Sequence, residues 1–75
     1  MSDIACIDLF CGAGGLSYGL NAEDIPVVAG VDVDESCRHP FEANNDGCFV
    51  NRDVGSLSIH EIDDLFGDAK VRILA

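Results

Sequence analysis

The chain has 75 residues, room for one small domain, and its 48% apolar content is that of a globular rather than a disordered sequence. Asp and Glu number 14 against 4 Lys and Arg, for a net charge of -10; such a surface repels phosphate backbones, so this segment is not expected to grip nucleic acid itself. No apolar run nears the ~20 residues of a membrane span, and Met1-Ser2-Asp3 lacks the basic start and long apolar stretch of a secretory signal, so a cytoplasmic chain without membrane contact is expected.

Ile4-Ala5-Cys6-Ile7 reads as a short buried strand over residues 4–8, with Asp8 at its carboxyl end. A glycine-rich turn follows, and residues 15–22 read as the first helix, weakened by Gly19 in its interior. Strand, glycine turn and helix together are the opening of a nucleotide-cofactor fold. The glycines serve space: they allow a sharp turn and leave main-chain N–H groups open to a ligand. Gly12 and Gly14 match the first two positions of the dinucleotide fingerprint, but Ser17 stands where the third glycine would fall. On spacing alone, a tight strand-to-helix turn with no ligand remains the other reading.

Pro26 blocks any continuation of the helix. Val27-Val28-Ala29-Gly30-Val31-Asp32 reads as a second strand, continuously apolar as a strand covered on both faces should be. It ends in Asp32, at about the distance from Gly12 that separates the glycine turn from the ribose-binding acid of nucleotide folds. A carboxylate there can accept hydrogen bonds from two vicinal hydroxyls. Asp34 is suited to cap a second helix through Cys37, Phe41 and Asn44, which Pro40 should either kink or delay. His39 and His60 read as surface or capping residues. Cys48-Phe49-Val50 is a third strand, leading to Asp53, which either accepts from an exocyclic amine such as adenine N6 or is a turn acid paired with Arg52. Ser58 and Glu61 form a capping box ahead of Ile59, Ile62, Leu65 and Phe66 at helical spacing, with Asp63 and Asp64 on the solvated face and Gly67 as the stop. Residues 71–75 read as a fourth strand.

The order β-α-β-α-β-α-β implies an α/β fold: a partial doubly wound, Rossmann-like parallel sheet with right-handed crossovers. The fourth strand would leave an open sheet edge, which invites self-association. Cys6, Cys11, Cys37 and Cys48 form no C-x-x-C pair, so neither a metal site nor a disulfide framework is expected; they read as small, partly buried, reduced thiols, Cys6 and Cys48 above all.

The wording of the glycine turn says more than its spacing. Asp-Leu-Phe-Cys-Gly-Ala-Gly-Gly-Leu-Ser, residues 8–17, closely resembles the first signature motif of the DNA (cytosine-5) methyltransferases, in which this loop holds S-adenosylmethionine. Val31-Asp32-Val33-Asp34 with Cys37 and Phe41-Glu42-Ala43-Asn44-Asn45 is similar to the second motif, and Arg52-Asp53-Val54 to the third. The resemblance implies that Phe10 and the backbone of Gly12, Ala13, Gly14, Gly15 and Leu16 line the methionine end of the cofactor. It implies that Asp32 binds the ribose hydroxyls, that Val33 packs on the adenine face, where the family often has a bulkier residue, and that Asp53 and Val54 meet the adenine edge. It further implies a role in DNA methylation and restriction-modification.

The family's nucleophile is a cysteine in a Pro-Cys motif beyond the fourth strand, where a thiolate attacks a flipped-out cytosine. Neither Pro26 nor Pro40 is followed by Cys. Residues 1–75 are therefore expected to be the amino-terminal cofactor half of such an enzyme, truncated or one piece of a split protein, with no catalytic residue of its own and no activity alone. DNA would be bound by the missing carboxyl-terminal part. Cys11, with Asp8 close in sequence and no cation nearby, reads as a small loop residue rather than a substitute nucleophile. A dinucleotide-binding oxidoreductase fragment and a tRNA cytosine-5 methyltransferase relative are the alternatives.

Overall fold

A computed structural model describes residues 3–75; Met1 and Ser2, on which part of the expectation about a leader rested, lie outside the described residues. The elements are β1 (Ile4–Leu9), α1 (Gly15–Ala22), β2 (Val27–Asp32), α2 (Arg38–Asn44), β3 (Cys48–Asn51), α3 (Ile59–Phe66) and β4 (Val71–Leu74). The four strands form one sheet in the order β3-β2-β1-β4, and every neighbouring pair is parallel. The partial doubly wound sheet expected from the sequence is the one observed.

Side-chain alternation sorts the two faces. Ile7, Ala29 and Val31 point one way and pack with Phe66 of α3, joined by Ile62 and Leu65. Asp8, Gly30 and Phe49 point the other way, where Ser17 of α1 and Phe41 of α2 meet them. The chain therefore runs β1-β2-β3 with helices on one face, then crosses the other face through α3 to reach β4. β1 is the strand from which connections part in opposite directions. In open α/β sheets, ligands bind at such a switch point, outside the carboxyl ends of the strands.

Pro40 delays its helix rather than kinking it. Asp34 caps a 3-10 turn over Glu35–Cys37 by accepting from Ser36 N at 3.0 Å, and the α-helix proper begins only at Arg38. Pro40 then sits in the first turn, where a missing N–H costs little. The capping box at Ser58 forms in both halves, and Gly67, at φ +61°, ends α3. Two expectations fail at the margins. Ile59, placed on the apolar stripe, is 78% exposed: as the first residue of α3 its side chain leans back over the preceding loop, off the sheet. Cys48 is exposed rather than partly buried, because it opens the edge strand β3 while α3 packs chiefly on β1 and β2. Cys6 is fully buried, and both histidines are exposed.

Candidate cofactor site

Three loops converge at the carboxyl ends of β1, β2 and β3, and their main chains are tied together. The turn after β1 is left-handed at three places: Phe10 (φ +58°), Gly12 (φ +54°) and Gly14 (φ +90°). For Phe10 that conformation is strained, at a cost on the order of 1–3 kcal/mol, and such strain concentrates at ligand sites. The strained residue also presents its ring to solvent, 76% exposed. Cys11 N donates to Val31 O at 3.0 Å, which seats the turn against the end of β2.

Asp32 is the junction of the first two loops. Its Oδ2 accepts from Gly12 N and its Oδ1 from Asp34 N, both at 2.9 Å. These backbone donors, Asp34 first and Gly12 second, hold its carboxyl below the usual carboxylate range. The third loop is joined by Asn51, whose Nδ2 donates to Asp32 O at 3.2 Å and to Val33 O at 2.9 Å. Val33 is thereby fixed with its side chain 67% exposed.

Behind the turn lies a packed wedge. Phe41 is fully buried and fills the space that a Cβ would need at Gly14 and at Gly30: built there, those atoms would lie 2.7 Å and 2.4 Å from its ring. Phe49 closes the far side, its ring centroid 6.0 Å away. Ser17, in the place of a third glycine, is also fully buried and donates from Oγ to Asp8 Oδ2 at 2.6 Å, bolting the first turn of α1 to the end of β1.

The sequence-derived residues divide accordingly. At the mouth Gly12 meets Asp32 through their hydrogen bond, Val33 follows Asp32 and is held by Asn51, and Phe10 and Leu16 are exposed; Ala13 and Gly15 line a shallow groove with Tyr18 and Asn44 instead, and Gly12 and Gly15 have open space beside them. Gly14 instead turns inward onto Phe41 and Asn45. Val54 is partly buried, its side chain packed against the α3-side core. Asp53 is at the end of β3, exposed, and caps its own 3-10 turn by accepting from Gly55 N at 3.0 Å. It is not paired with Arg52, which forms an ion pair with Glu61 and lowers that residue's pKa. Cys11 is no nucleophile: burial first, and the Asp8 and Asp32 carboxylates next, push its thiol up to about 12. Sequence reasoning gave Phe41 and Asn45 only a place in the second helix and motif, and assigned no role to Asn21 or Asn51; Asn51, a polar residue closing an apolar strand opposite Asp32, was the readable signal.

A parallel sheet with a glycine turn at its switch point and acids at the following strand tips defines a nucleotide-cofactor class of α/β protein. Comparison with known proteins narrows the class. Residues 4–69 match the model of the C-5 cytosine-specific DNA methylase family. The chain is 40% identical over 70 residues to the type II methylase M.HgiDII of Herpetosiphon aurantiacus, across 93% of its own length and 20% of that protein's. It superposes on the crystal structure of the S. pombe Dnmt2 methyltransferase with a TM-score of 0.71 and 23% identity, over 95% of this chain and 23% of the other, a likeness of fold. The chain belongs to the C-5 cytosine-specific DNA methylase family, a family whose chemistry requires a methyl donor, and it spans about a fifth of the length of the curated relative. That membership displaces the oxidoreductase alternative. No helix among the described residues is long and apolar enough to cross a membrane.

Proposed function

We propose that this chain is the S-adenosylmethionine-binding portion of an enzyme that methylates C5 of cytosine in DNA. The observation that carries the reading is the Gly12–Asp32 junction, a carboxylate tied to the glycine turn between two exposed apolar side chains, Phe10 and Val33. The residues fit the group. A carboxylate offers about four acceptor positions; backbone N–H groups take two, leaving one on each oxygen for vicinal ribose hydroxyls. Phe10 and Val33 supply apolar surface for the adenosyl group, and Asp53 with the Val54 main chain suits the adenine edge. α1 begins at Gly15 with no side chain capping it, so its leading N–H groups are open to a carboxylate.

When bound, S-adenosylmethionine supplies an electrophilic methyl group. The chain's own residues bind and orient it; none is arranged to attack a base, since Cys11 is held as a buried thiol. DNA contact and the nucleophile are assigned to the rest of a longer or split protein. The edge of β4, with Val71, Ile73 and Leu74 exposed, is where further strands or a second copy would pair. Gel filtration at a monomer's volume would count against pairing between copies.

Calorimetry of the 75-residue chain with S-adenosylhomocysteine tests the cofactor assignment. Binding is expected, weakened about tenfold or more by Asp32→Ala; no heat from the unmodified chain refutes it. The chain alone should incorporate no methyl group into DNA or tRNA. Methylation of tRNA in preference to DNA, once the chain is joined to the remainder of its protein, would overturn the choice of substrate.

A further inference from the structure

α1 is held at both ends by one buried side chain outside the mouth of the site. Asn45, just past α2 and 8% exposed, donates from Nδ2 to Gly14 O at 3.4 Å and to Phe41 O at 3.1 Å. Its Oδ1 accepts from Asn21 Nδ2 at 3.3 Å, and Asn21 lies in the last turn of α1. Asn21 is fixed in turn, its Oδ1 accepting from Val27 N at 3.1 Å at the start of β2. A single amide thus spans α1 from the carbonyl preceding its first residue to its penultimate residue. Gly14 makes the approach possible: a Cβ there would lie 2.5 Å from Asn45 Nδ2.

The Gly14 carbonyl matters because it also accepts from Tyr18 N at 2.9 Å, the first bond of the helix. The peptide that carries this carbonyl carries the N–H of Gly15. Fixing the carbonyl direction fixes that N–H in the opposite direction, since the peptide unit is planar. We propose that Asn45, steadied by Asn21, is the positioning residue of the site: it sets the Gly14–Gly15 peptide and so aims the leading N–H groups of α1 at the cofactor. The inference rests on the cofactor assignment made above. Asn45 touches no ligand itself; it acts through the peptide it holds.

The test separates positioning from mere support of the fold. S-adenosylhomocysteine affinity is measured by calorimetry for the full chain and for Asn45→Ala, Asn21→Ala and Ser58→Ala, each shown folded by its amide NMR spectrum. Asn45→Ala should weaken binding about tenfold and Asn21→Ala by a smaller factor. Ser58→Ala removes the cap of α3, on the sheet face opposite α1 and α2; it should lower the melting temperature yet leave affinity within about twofold. A folded Asn45→Ala that binds as tightly as the unmodified chain overturns the proposal. Should that variant not fold, the unmodified chain decides: on adding ligand, the side-chain amide signals of Asn45 should shift together with the backbone signals of Gly14 and Gly15. Backbone shifts with a stationary Asn45 amide overturn it. If the unmodified chain binds nothing, the cofactor assignment falls and the positioning role with it; a change confined to the Asn45 variants bears on positioning alone.

Discussion

Gly30→Ala probes the wedge behind the site directly. The new methyl would lie 2.4 and 2.5 Å from Cε2 and Cζ of Phe41 and 2.8 Å from Cys11 Sγ. The ring cannot retreat, because Gly14 backs it on one side and Phe49 on another. Overpacking of this kind costs about 1–3 kcal/mol. Replacing a glycine also restricts the unfolded chain, which returns about 0.4–1 kcal/mol. At the midpoints of these ranges the net is a loss of about 1.3 kcal/mol, out of the total of about 4–11 kcal/mol that 75 residues ordinarily command. At about 4–8 °C per kcal/mol for a domain of this size, melting should fall by roughly 5–10 °C. Urea titration followed by circular dichroism gives the free energy, and a second background gives the cause. With Phe41→Leu already in place the methyl has room, so Gly30→Ala there should cost under about 0.5 kcal/mol, a coupling of about 1 kcal/mol or more. A neutral or stabilising Gly30→Ala in the parent chain, or equal losses in both backgrounds, refutes the wedge.

Four further outcomes follow from the site. Backbone donors lower the Asp32 pKa in the folded state, so its contribution to stability is present above the ordinary carboxylate value near pH 4 and is lost as pH falls through the lowered one; urea midpoints from pH 7 to 3 should show an acid decline that is smaller in Asp32→Asn, and an identical decline would sink the assignment. Val33→Trp should tighten S-adenosylhomocysteine binding several-fold by stacking on the adenine, worth about 0.5–1.5 kcal/mol, and calorimetry showing weaker binding would remove Val33 from the adenine face. With iodoacetamide at pH 8, mass spectrometry should find the exposed Cys48 labelled first and the buried Cys6 and Cys11 last, since burial shields both and a thiol near 12, as at Cys11, is ionised only about one part in ten thousand; early labelling of Cys11 contradicts its environment. Raising salt from 20 to 300 mM should weaken S-adenosylmethionine binding while leaving S-adenosylhomocysteine nearly unchanged, and equal slopes would mean the acidic field plays no part.

The local elements were written in the chain. Val27 to Asp32 is an uninterrupted apolar run closed by an acid, and Ser58 with Glu61 spells out a cap that forms in full. Such features depend on near neighbours and so survive without tertiary knowledge. The strand order β3-β2-β1-β4 followed from the alternation of strands and helices only as far as parallel pairing. What stayed hidden depends on contacts between distant segments. Nothing around Phe41 announces that two glycines, one in the turn after β1 and one inside β2, have made way for its ring. Spacing placed Asp32 at a strand tip, yet it could not reveal that both oxygens are already in use by the main chain. Ser17 read as a defect in a glycine pattern; it is a donor matched to Asp8.

The sign of the charge bears on the proposed ligand. The Asp8 and Asp32 carboxylates lie beside the glycine turn, while Arg38 is engaged by Glu35 and Glu42, and Arg52 by Glu61. Of the other two cations, Arg72 pairs with Asp63 and Lys70 precedes β4, at the opposite end of the sheet from the strand tips, and a dinucleotide would enter against the field of a -10 chain. S-adenosylmethionine carries a sulfonium and an ammonium against one carboxylate, so it arrives with net positive charge. Once the methyl is gone the sulfonium becomes a neutral thioether, and the attraction that drew the donor in no longer holds the product. On the proposed reading, an acidic cofactor half would favour the charged donor over the spent product and would leave the gripping of an anionic nucleic acid to a different, basic surface. The charge imbalance that would repel DNA from this chain is, on that reading, what would suit it to the donor's end of the reaction.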